Sequence, residues 1–147
     1  MNGVTIRVTG IPVGKGRPRF SGRPFSPVKV YTPERTANYE EQVRLSYLEQ
    51  AGNRRFDRDI PLKVSIIACF PIPKSASKKR AAELRSGKIM HTQRPDADNI
   101  AKAVLDALNG LAFHDDSQVC ELRVSKAYSD SPATEIHITR IKENRND

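Results

Sequence analysis

Residues 4–9 alternate strictly, with Val4, Ile6 and Val8 on one side and Thr5, Arg7 and Thr9 on the other. A period of two predicts a half-buried strand. The next stretch, GIPVGKGRPRFSGRPFSPVKVYTP, loses all periodicity, and its prolines and glycines predict a loop or loose hairpin. A helix follows in TPERTANYEEQVRLSYLEQAG: Thr32 suits the N-cap, Pro33 the first turn, and Gly52 the stop. PLKVSIIACFPIP, bounded by Pro61 and Pro71, is apolar enough to be a central strand. KSASKKRAAELRSGK predicts a short basic helix ending near Gly87, and a further helix is expected from Asn99 to Asn109. QVCELRVSKAY sets Cys120, Leu122 and Val124 on one face, and TEIHITRI alternates through Ile136 and Ile138. The turn DSP between these two runs predicts an antiparallel hairpin.

This order of elements predicts a single α+β domain over residues 1–147, a small mixed or antiparallel sheet packed with two or three helices. Residues 142–147 read as a frayed tail. At 147 residues and 37% hydrophobic content, the chain is long enough to bury one core. No apolar run approaches a membrane span, and MNGVTIRVTG lacks the pattern of a signal peptide, so a cytoplasmic protein is expected. Cys69 and Cys120 lie in strand-like runs without metal-ligand spacing, which predicts buried, reduced thiols.

Charge changes the picture. The formal net charge is +8, and an excess of Lys and Arg favours a polyanionic partner, nucleic acid being the commonest. Lys15, Arg17, Arg19 and Arg23 form a basic stretch interleaved with Phe20, Phe25 and Tyr31. It suits a phosphate-contacting arm, or equally a solvated loop whose aromatics cover the core. Lys78, Lys79 and Arg80, and Arg94 beside the acids described next, are further candidate DNA contacts, although such clusters are often plain solvated surface.

Against this charge, carboxylates crowd one helix. In RPDADNIAKAVLDALNG, the residues Ile100, Ala103, Val104, Ala107, Leu108 and Leu111 form an apolar stripe. Asp98, Lys102 and Asp106 share another face. Asp96 lies just outside, in the extended segment favoured by Pro95. Capping explains part of this: Asp98 or Asn99 suits the N-cap, both acids complement the helix dipole, and Lys102 and Asp106 can pair on the surface. It says little about Asp115 and Asp116, which precede the next strand. Those acids reach Asp96 and Asp98 only if the strand runs back beside the helix or a second copy supplies the contact. Clustered carboxylates without His or Cys suit a hard cation such as Mg²⁺. On a basic protein, that chemistry points to phosphodiester hydrolysis, with Lys102 beside the metal.

The stretch RPDADNIAKAVLDALNGLAFHDDSQVCELRVSKAY resembles the signature of the RusA family of Holliday junction resolvases. An Asp-x-Asp-Asn start, a lysine one turn later, a DAL helix and an acidic pair before a strand occur in order. KGRPRF, YTP and YE are similar to members from Gram-positive hosts and their phages, and the likeness covers nearly the whole chain. It implies a homodimeric, Mg²⁺-dependent endonuclease, with Mn²⁺ as a possible substitute, that resolves branched DNA during recombination and repair. It further implies that Asp96, Asp98 and Asp116 are catalytic, metal-binding carboxylates and that Lys102 is the catalytic lysine. Asp115 is a supporting acid, and the distant acids come together. His114 departs from the apolar or aromatic residue expected before the acid pair. His91 and His137 read as structural or surface residues. A less selective nuclease for forks and flaps shares all these residues, and a non-catalytic basic binding module remains the competing class.

Overall fold

The computed structural model describes residues 1–16, 19–21, 29–31 and 33–142, with only the backbone described at 19–21 and 29–31. Thr32, Arg17, Arg23 and residues 143–147 lie outside the described residues, as do the side chains of Arg19, Phe20, Phe25 and Tyr31. The strands are β1 (Gly3–Thr9), β2 (Arg19–Ser21), β3 (Lys29–Tyr31), β4 (Leu62–Pro71), β5 (Val119–Ser129) and β6 (Ala133–Arg140). The helices are α1 (Glu34–Ala51), α2 (Lys78–Arg85) and α3 (Ala97–Leu108), with a 3-10 turn at Asp116–Gln118. The α+β expectation holds: the main sheet is mixed, in the order β1-β6-β4-β5, and β2 and β3 pair antiparallel, which favours the hairpin over the loop among the two readings of that stretch.

The sheet corrects one expectation. β5 and β6 do not pair with each other; β4 lies between them, antiparallel to β6 and parallel to β5. The apolar β4 takes the centre, as its composition suggests, and the turn at 130–132 becomes a crossover between strands on its two sides. Local turn chemistry suggested a hairpin, but burial of β4 on the core side decided the pairing. Its residues Leu62, Val64, Ile66, Ala68 and Phe70 are all buried, and their odd-numbered neighbours between Lys63 and Cys69 are not.

The core lies between this sheet and the helices. Val4, Ile6 and Val8 of β1 and Ile136 and Ile138 of β6 meet Tyr39, Val43 and Tyr47 of α1 and the apolar stripe of α3. Tyr39 and Thr134 satisfy each other's hydroxyls at 2.6 Å in this interior. Buried polar groups need such partners, since each unpaired one costs about 1–3 kcal/mol. Gly52 ends α1 with φ +67, and its amide bonds Leu48 O. Pro33, not Thr32, occupies the N-cap position of α1. The cysteines are free, but Cys69 is half-buried and Cys120 exposed, a second correction. Cys69 lies on the outer sheet face, and Cys120 lies at the start of β5, beyond the helices that cover its later half.

Candidate active site

α3 begins two residues earlier than its sequence pattern suggests, and this changes what the acids do. Asp96 takes the N-cap position with extended backbone (φ −68, ψ 151), yet its carboxylate makes no capping hydrogen bond. Asp98 falls in the first turn rather than at the cap. Both side chains are exposed, and Lys102, also exposed, follows Asp98 by one turn. Among the described residues, none of these three enters an ion pair. Two carboxylates therefore stand at the positive end of a helix, with an ammonium one turn further along it, and none of the three is consumed by an ion pair among the described residues.

The segment leading into this motif is held from two sides. Lys126 of β5 donates to Gln93 O at 2.6 Å and to Pro95 O at 2.9 Å, fixing the backbone immediately before Asp96. A charged residue between Val124 and Tyr128 on the inward face of a strand was a legible signal, yet pattern reading passed it over. From the other side, the amide of Lys15 donates to Asn99 O at 2.8 Å. Gly14 lies so near Pro95 that a Cβ there would be 2.6 Å from Pro95 Cβ, so only glycine lets the chain pass. The basic stretch thus starts directly against the Asp96–Asn99 segment.

Lys15 itself is not presented to solvent. Its ammonium contacts Glu40 at 2.6 Å and Asp106 at 3.1 Å, with 13% of the side chain exposed. Burial alone would lower its pKa, but hydrogen bonds to the two carboxylates outweigh that and raise it. Asp106 accordingly pairs with Lys15 rather than with Lys102. Lys78, Lys79 and Arg80 are exposed in the first turn of α2, and Arg94 is exposed two residues before Asp96.

The second acidic pair is built differently. Gln118 is buried; its amide oxygen accepts from the amides of His114 and Asp115, and its nitrogen donates to Asp57 O and Ile60 O. Asp116 N donates to Asn109 Oδ1 at 3.0 Å, tying the pair to the end of α3. Ser117 Oγ donates to Asp115 at 2.7 Å and holds its carboxyl below the usual range. Asp116 shifts the other way: partial desolvation, then the charges of Asp115 and Asp106, raise it. His114 faces Arg55 and Asp57 in a shallow pocket, and desolvation first, then Arg55 and Arg58, lower its pKa.

The two acidic groups lie at opposite ends of α3. Twelve helical residues span about 18 Å. Val119 to Lys126 covers roughly 23 Å of strand beside it. Among the described residues of one protomer, no three His, Cys, Asp or Glu side chains come together as a metal site.

The sequence from Thr9 to Thr139 matches the family model for endodeoxyribonuclease RusA. The chain belongs to the RusA family. It is similar to YqaN of Bacillus subtilis, described as uncharacterized, at 34% identity over 96% of this chain and 99% of YqaN. It is also 28% identical to the crossover junction endodeoxyribonuclease of Lactococcus phage r1t, over 86% of each chain. RusA membership makes this protein a DNA endonuclease, and the hydrolysis of a phosphodiester by such a nuclease calls for a divalent metal. The donors at the start of α3 fit that need, since hard cations take carboxylate oxygens and Mg²⁺ is usually held by one or two of them beside substrate phosphate. No helix among the described residues is long and apolar enough to cross a membrane.

Proposed function

We propose that this protein is a Mg²⁺-dependent, homodimeric resolvase that cuts four-way DNA junctions by paired symmetric nicks in recombination and repair. The observation that carries this reading is the pair of uncommitted carboxylates, Asp96 and Asp98, beside Lys102 in a chain of net charge +8. A divalent ion, when bound, neutralises phosphate oxygens and activates water. Asp96 and Asp98 would hold that ion; Asp116, with Asp115 supporting it, lies at the other end of α3 in the same protomer and would complete the set from the second copy of the homodimer. Lys102 presents its ammonium to the charge that grows on the scissile phosphate. Arg94, the α2 cluster and Arg17, Arg19 and Arg23 hold the flanking phosphates, which position DNA without reading its sequence. Lys15, paired internally, anchors that arm. The likeness to the phage crossover junction enzyme supports a branched substrate.

The test is competition. Labelled four-way junction is offered with unlabelled junction, fork or linear duplex, and nicking is followed in the single-turnover regime. Junction should compete far better than duplex, and equal competition by all three would replace the resolvase reading with a general nuclease.

A further inference from the structure

The loop between α1 and β4 carries Arg54, Arg55 and Arg58 and lies outside the acids and lysine of the candidate site. It is nonetheless built against the second acidic pair. The buried Gln118 joins the two: its amide oxygen accepts from His114 N and Asp115 N, and its amide nitrogen donates to Asp57 O and Ile60 O. Phe56, also buried, anchors the same loop, its amide donating to Ala112 O at 2.9 Å. Between loop and acids lies a shallow pocket of about 350 Å³, lined by Asn53, Arg55, Asp57, Gly110, Leu111 and His114. Arg58 stands near enough for its charge to act on the His114 ring.

Neither Arg55 nor Arg58 enters an ion pair among the described residues, although Asp57 lines the same pocket and Asp115 and Asp116 follow His114 directly. Arg55 donates to Gly110 O at 3.2 Å, which holds its guanidinium at the pocket wall with donors to spare. Two guanidinium groups on a fixed frame, left without carboxylate partners, suit a phosphate, whose oxygens match the guanidinium fork. His114 stands at most about 7 Å of chain from Asp116, so a ligand of the pocket lies next to whatever Asp116 serves. We propose that Arg55, Arg58 and His114 seat a backbone phosphate of the DNA, a neighbour of the scissile phosphate on the same strand. This reading rests on the place given to Asp116 in the metal site above. The guanidinium groups supply charge, and the imidazole supplies an N–H donor in either protonation state. Such a contact sets the strand against the acids without reading its sequence.

Methylphosphonate scanning tests this. Four-way junctions carry one neutral methylphosphonate at a time along the cleaved strand, and binding is measured in chelator for wild-type protein and for Arg55→Gln/Arg58→Gln. Both arginines are exposed, so the variant should keep the wild-type Tm. Nick positions are mapped separately with wild-type protein in Mg²⁺. One substitution flanking the nick should weaken wild-type binding about tenfold, the loss of one charge-assisted contact. It should leave the already weakened variant unaffected, whereas substitutions elsewhere should weaken both proteins alike. His114→Leu should blunt the response at that position and at no other. The double variant should also flatten log K against log[salt] on duplex by about 0.9. A variant that answers every substitution as the wild type does would overturn the pocket, and a coupled position remote from every nick would overturn its place beside the acids. Coupling that persists while wild-type protein leaves the junction uncut in Mg²⁺ would instead remove the nuclease reading and leave a phosphate pocket standing.

Discussion

Lys15 carries the consequence most local to one side chain. Its ammonium is shared by Glu40 and Asp106, and the Glu40 side chain is only 12% exposed. Lys15→Ala leaves two carboxylates without their counter-ion and should cost about 1–3 kcal/mol, read as a lower Tm. It should leave the dependence of DNA binding on salt unchanged, whereas loss of a true phosphate contact flattens log K against log[salt] by up to ~0.9. At Asp96, Asp98 and Asp116, a change to Asn should abolish cleavage and spare junction binding, because removing negative charge cannot weaken attraction to phosphate. Normal cutting by these variants would exclude them from metal binding. Lys102→Ala should lower the single-turnover rate far more than affinity; equal losses would make it an ordinary phosphate contact.

At the scale of elements, the segment between α2 and α3 is anchored by His91, buried and stacked on Phe70 with ring centroids 3.8 Å apart. Burial first, then the charge of Lys126, lowers its pKa from the usual 6.5, and its Nδ1 has no hydrogen-bond partner among the described residues. The folded protein thus resists a proton that the unfolded chain accepts. This stability is complete above about pH 6.5 and is lost as pH falls toward the folded-state pKa. His91→Phe keeps the stack and removes the titration, so the fall in Tm from about pH 7 to about pH 5 should shrink. An unchanged fall would assign acid sensitivity to other groups. How far elements were legible follows their determinants. β1, α1 and the apolar stripe of α3 depend on local periodicity and appear where their patterns put them. The β5–β6 pairing and the exposure of Cys120 depend on which strand takes the centre of the sheet, a non-local choice that no window of sequence contains.

For the whole molecule, the signature acids were legible as residue types and spacings, but whether one protomer brings them together was not. Their separation follows from the length of α3, with Asp96 at its N-cap and Asp116 tied to Asn109 at its other end; β5 does run back beside the helix, but the acids precede it and stay behind. The homodimer proposed above would place two sites about one axis, as two symmetric nicks require. Sedimentation at micromolar concentration should give a mass near twice the 16.4 kDa of the chain. A monomer that resolves junctions where no dimer exists would remove the twofold.

Metal-dependent junction cleavage is the centre of this reading, and a synthetic mobile four-way junction tests it most directly. The wild-type protein is incubated with the junction in chelator and then in Mg²⁺, and products are resolved on native and denaturing gels. Paired nicks yielding linear duplexes are expected with Mg²⁺, and bound but uncut junction is expected in chelator. Uncut junction at saturating Mg²⁺, or equal cutting in chelator, would contradict it.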